Sequence, residues 1–227
     1  IDARGQRQQQ LYDSAGGGNT KIFLTKFMLT DLEGRDWRDP MSVMRTRSEA
    51  DEEYARLASP QLLDTLPNDP ENILLSIGAE VYRLNVRTNR SERIQRAGER
   101  TIGYDTDLTG ALRTRAIADR DANGLYISTQ FRTESGGWEE HIRNHVKDRE
   151  VFAIAGFTDD PNIAYVISNR GRDKAAIFEY DVARRQLGEI AFEHPLFEAT
   201  GVAIERRQGP RYGQVLGFTY AGPRESE

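Results

Sequence analysis

Leu66-Pro67-Asn68-Asp69-Pro70-Glu71-Asn72-Ile73-Leu74-Leu75-Ser76-Ile77, followed by Val81-Tyr82-Arg83-Leu84-Asn85-Val86, has a counterpart later in the chain. The counterpart is Phe157-Thr158-Asp159-Asp160-Pro161-Asn162-Ile163-Ala164-Tyr165-Val166-Ile167-Ser168, followed by Ile177-Phe178-Glu179-Tyr180-Asp181-Val182. Each copy reads as an Asp-Pro turn, an apolar strand, a gap and a strand of alternating character. Proline presets φ in the turn, and period-two patterning in Tyr82/Leu84/Val86 and Phe178/Tyr180/Val182 marks half-buried strands. Asp69 and Asp160 lie 91 residues apart (160 − 69). A repeat of roughly 40–50 residues is typical of β-propeller blades, so this offset suits two of them.

Working outward, the interval holds a different unit. Ile102-Gly103-Tyr104-Asp105-Thr106-Asp107-Leu108-Thr109-Gly110 reads as turn-rich. Strands are expected at Leu112–Ala118, Leu125–Phe131 and, after the Gly136-Gly137 turn, Trp138–Ile142. A further unit begins at Gly201-Val202-Ala203-Ile204, turns at Gly209-Pro210 and continues in Gln214–Tyr220, short of a complete blade. The expected fold is therefore all-β: a partial propeller of about four to five blades of four-stranded antiparallel sheet spanning residues 1–227, each blade needing neighbours to cover its faces. Residues 41–64 stand apart as a helical or mobile insertion. Within it Ser48–Ala58 reads as a short helix that Ser48 could cap and Ser59-Pro60 would end.

Composition excludes several chemistries. Lys and Arg number 31 against 36 Asp and Glu, a net charge of −5, and no segment has the basic density of a nucleic-acid surface. There is no cysteine, which removes disulfides, thiolate metal sites and cysteine catalysis and fits cytoplasm or periplasm equally. No apolar run approaches the ~18 residues of a membrane-spanning helix. Ile1–Gln6 reads as the inside of a domain, not as a leader.

No catalytic residue emerges. Ser14-Ala15-Gly16-Gly17 lacks the first glycine of a nucleophile elbow, since Tyr12 stands there, and it leads into the strand-like Lys21-Ile22-Phe23-Leu24. Gly16-Gly17-Gly18 lacks the Lys-Ser/Thr of a phosphate loop. His141 and His145 have the i, i+4 spacing of a helical zinc pair. Their segment reads as a strand end and polar turn without further ligands, so a surface role is expected and no metal or cofactor. His194-Pro195 is placed at a crossing between blades. Tyr126, Phe131 and Trp138 are read as packing between blades. In the charged turn Asn169-Arg170-Gly171-Arg172-Asp173, a solvated hairpin is the ordinary reading. The functional reading makes Arg170 and Arg172 peptide-contact candidates, because an arginine fork can pair a carboxylate bidentately.

In their order, several of these segments resemble the N-terminal propeller of the prolyl oligopeptidase family of serine peptidases, especially its acylaminoacyl-peptidase-like members from bacteria. The residues that carry the likeness are Leu66–Pro70 with Ile73–Leu75, Val81–Arg90, Tyr165–Asp173, Ile177–Val182 and Phe192-Glu193-His194-Pro195, within about two thirds of the chain. The resemblance implies a propeller that caps an α/β-hydrolase domain of the same polypeptide, with that domain, absent from this chain, supplying Ser, Asp and His. It implies a filter that admits short peptide substrates and excludes folded proteins. The alternative is a stand-alone propeller acting as a protein-binding scaffold. Open sheet edges would favour self-association.

Overall fold

The computed structural model describes residues 7–12, 21–40 and 60–222. The chain is all-β. Among the described residues there are three four-stranded antiparallel sheets and two antiparallel strand pairs. Two compact units divide it, Ile1–Gly98 and Glu99–Glu227.

The first unit contains the pair β1 (Arg7–Tyr12) and β2 (Lys21–Lys26), with Tyr12 opposite Lys21. It also contains the sheet β3 (Gln61–Asp64), β4 (Asn72–Ile77), β5 (Glu80–Asn85) and β6 (Arg90–Gln95), joined in sequence order. Ile73, Leu74, Leu75 and Ile77 of β4 are all buried, so the strand is covered on both faces, and the continuous apolar run follows from that. Ile73, Leu75 and Leu84 pack with Val86 and with Leu29. The last strand, Arg-Ser-Glu-Arg-Ile-Gln, is mostly exposed, and its charges blunt the sheet edge. Gln61–Asp64, expected inside the 41–64 insertion, is a strand; the predicted helix Ser48–Ala58 lies outside the described residues.

The second unit holds the sheet β7 (Thr101–Thr106), β8 (Leu112–Asp121), β9 (Gly124–Arg132) and β10 (Trp138–His145). The sheet β11 (Phe152–Phe157), β12 (Ile163–Ser168), β13 (Ala176–Asp181) and β14 (Gln186–Phe192) follows, and then the pair β15 (Ala199–Ile204) and β16 (Val215–Tyr220). The first two of these sheets meet face to face. Phe131 and Ile142 from one join Phe157, Ala164, Val166, Ala176, Phe178 and Tyr180 from the other in a single core. The Phe131 ring stacks on Tyr180 at 5.5 Å between centroids and meets Phe157 edge-on at 6.5 Å. The β15–β16 pair then packs on β11–β13. A Cβ at Gly156 would stand 2.9 Å from Ile204 Cδ1, so any larger residue there would force the Ile204 side chain to move.

The repeat seen in the sequence is a repeat of hydrogen bonds. Asp69 Oδ1 accepts from the Glu71 N–H and Asp160 Oδ1 from the Asn162 N–H, each two residues on. The Val86 N–H donates to Glu71 O and the Val182 N–H to Asn162 O, both at 2.8 Å. Asp107 holds the corresponding turn of the intervening sheet, accepting from the Thr109 and Ala111 N–H groups. That sheet departs from expectation at its start, where Thr101–Thr106 is a strand and not part of a turn. Gly103 and Asp105 are poor strand formers. The Asp105 carboxylate is tolerated because Thr114 on the adjacent strand donates to it at 2.7 Å, although burial raises its pKa.

Candidate functional site

The charged turn singled out in the sequence joins β12 to β13. The Arg172 N–H donates to Asn169 O at 2.9 Å, and Gly171 sits at φ +68°, where a side chain would be strained. Asn169 fastens this turn to the preceding connector: its Oδ1 accepts from the Val151 N–H and its Nδ2 donates to Arg149 O. Arg170 pairs with Glu150 at 3.2 Å on that side. Arg172 pairs with Glu193 on the other side, at the start of the connector between β14 and β15. The two candidate arginines therefore do not converge on one ligand.

Arg172 lines a cleft whose bounding residues do not include Arg170. The cleft, of about 460 Å³, is bounded by Arg172, Asp173, Lys174, Glu193, His194 and Pro195. Its walls are held by Glu198, which accepts from the Ala175 N–H, and by the Ala199 N–H donating to Ala175 O. His194 is fixed from behind: its Nδ1 accepts from the Leu196 and Phe197 N–H groups, both at 3.1 Å. An accepting Nδ1 leaves the ring hydrogen on Nε2. Tyr220 stacks on the imidazole at 4.2 Å, and Phe197 lies parallel to Tyr220 at 5.8 Å. Sequence reasoning placed His194 at a crossing and Arg172 in a turn. That the two line one cleft depends on β13 and β14 returning the chain to the same end of the sheet.

The other two histidines separate. A β-bulge between Glu140 and Ile142 shifts the phase of β10. His141 turns to the packed face, stacking on Phe131 at 4.3 Å with its Nδ1 3.2 Å from the Tyr180 hydroxyl. His145 stands on the opposite face, with Nε2 3.1 Å from both carboxylate oxygens of Asp121. The i, i+4 pair is thus split across a sheet and cannot share an ion. The surface role expected for His141 is corrected: it is half-buried, and burial, aided by nearby Arg185, lowers its pKa. Burial pushes the Tyr180 hydroxyl up to about 12, so it stays protonated.

On the His145 face, Arg143 lies over the Tyr126 ring at 4.1 Å and pairs with Glu140 and Asp121. The Asn123 N–H, with His145 and Arg143, holds Asp121 below the usual carboxylate range. The buried Ser128 hydroxyl donates to Glu140 at 2.6 Å. Burial opposes the Glu140 charge, but the bonds from Arg143 and Ser128 outweigh it and lower its pKa. The Arg115 and Arg132 guanidinium groups both lie over the Trp138 ring, 5.0 and 4.9 Å from its centroid. Of the three aromatics read as packing between blades, Phe131 joins two sheets, while Tyr126 and Trp138 serve as platforms for arginine. The serine considered as a nucleophile, Ser14, lies outside the described residues. Comparison of the chain with family models, curated proteins and solved structures found no match.

Proposed function

We propose that the chain is a non-catalytic run of β-propeller blades. It would gate the entry of short peptides to a serine-peptidase active site on an α/β-hydrolase domain of the same polypeptide. One observation supports the propeller most. The Arg206 guanidinium, just after β15, donates to Asp107 O, just after β7, at 3.1 Å. The strands β7, β11 and β15 open three successive sheets, and sheets packed flat on one another stand ≈10 Å apart. Two such intervals would separate the outer two by about 20 Å, so a direct bond between their ends favours sheets fanned about an axis near their first strands. The order of turn and strand motifs supports the peptidase kinship.

Two measurements test the reading. The open reading frame past Glu227 is expected to encode Gly-x-Ser-x-Gly and later Asp and His. A frame without them would favour the scaffold reading. The 227-residue chain alone is expected to leave acylaminoacyl chromogenic substrates intact. Hydrolysis abolished by a serine-reactive phosphonate would overturn the non-catalytic assignment.

A further inference from the structure

Charge around the β12–β13 cleft is sorted by depth. Its two cationic side chains are the sheltered ones, Arg172 at 31% and Lys174 at 38% exposure, and their carboxylate partners are the open ones, Glu193 at 55% and Asp173 at 94%. One guanidinium nitrogen of Arg172, Nη2, already holds a carboxylate oxygen, Glu193 Oε2. A pair this exposed adds little to stability, so a second carboxylate can replace Glu193 at little cost. His194 adds an N–H donor, because its Nδ1 accepts from two backbone N–H groups and the ring hydrogen is on Nε2. The imidazole is backed by Tyr220, and Pro195 closes the wall with an apolar ring. Two cations, one oriented donor and an apolar wall suit a carboxylate attached to a bulky group. At about 460 Å³ the cleft lies within the range of small-ligand sites.

We propose that this cleft binds the C-terminal carboxylate of a short peptide through Arg172, Lys174 and His194, with Glu193 as a built-in competitor that the ligand displaces. The choice of a peptide rests on the gating reading above; the carboxylate site does not. Glu193 then sets affinity. Removing its charge frees the fork, whereas removing Arg172 removes the site.

The test is an NMR titration of the full 227-residue chain, following backbone amides. The probes are a tripeptide ending in phenylalanine, the same peptide amidated at its C-terminus, acetate and inorganic phosphate. The free-acid peptide is expected to shift the amides of Lys174, His194 and Leu196, with binding at least tenfold tighter than the amidated peptide or acetate. Arg172→Gln is expected to weaken it at least tenfold and Glu193→Gln to tighten it about threefold, each with an otherwise unchanged, dispersed spectrum. Equal response to acid and amide, no response to the acid, tighter binding of phosphate than of peptide, or weaker binding by Glu193→Gln would each overturn the proposal. A reading frame without a hydrolase domain would sink the peptidase reading and leave this titration standing.

Discussion

Arg170 and Arg172 stand two residues apart on one turn and reach in opposite directions, Arg170 to Glu150 at 3.2 Å and Arg172 to Glu193. Glu150 precedes the sheet β11–β14 and Glu193 follows it, so the turn is tied to the connectors on both sides. The intervening Gly171, at φ +68°, lets the chain reverse between them.

The two arginines should behave alike in stability and differently in binding. Both pairs are exposed, so Arg170→Ala and Arg172→Ala are each expected to cost less than about 1 kcal/mol in urea denaturation. In the tripeptide titration Arg170→Ala should leave affinity within twofold of the parent, because its side chain does not line the cleft. Equal loss of affinity in both variants would point to general rim charge.

Phe131 should be the costliest single truncation in the second unit. It is 2% exposed and contacts Tyr180, Phe157 and His141. Phe131→Ala removes a ring that joins two sheets and is expected to cost about 3–5 kcal/mol, read from the urea midpoint. A loss under 1 kcal/mol would mean that the sheets are held together elsewhere.

Acid should destabilise the fold through His141. Its folded pKa lies below the unfolded value because burial disfavours the charged ring. The unfolded chain therefore binds the proton first. The contribution is fully present above the unfolded value of 6.5 and is lost as pH falls through that value toward the folded one. Urea midpoints at pH 7.5 and 5.0 should differ, and His141→Phe, which keeps the stack on Phe131, should shrink the difference. An undiminished difference in the variant would assign the acid sensitivity to another group.

Gly156→Val should loosen the β15–β16 pair. A Cβ there would meet Ile204 Cδ1 at 2.9 Å and Val202 Cγ1 at 3.2 Å. Both contacts are side-chain ends that can partly give, so a cost of about 1–3 kcal/mol is expected. Faster amide exchange in Ala199–Ile204 than in β8 or β9 would locate the damage. Uniform exchange would show that the second unit unfolds as one.

By itself the sequence determined the central strands and the turns between them. β4, β5, β12 and β13 are apolar on their covered faces, and Asp69 and Asp160 place an acceptor two residues before a waiting N–H, so local chemistry specifies both. It did not reveal β6 or β14, whose exposed edge positions carry mixed residues that strand pairing alone holds extended. Nor did it reveal which face His141 takes, because a one-residue bulge is decided by the ladder with β9. The cleft belongs wholly to the tertiary structure. Arg172 and His194 are 22 positions apart (194 − 172), and only the return of the chain through β13 and β14 sets them along one wall. Local patterns can fix which residues are strands; which side chains face one another depends on pairing between distant segments, and no short window of sequence contains that.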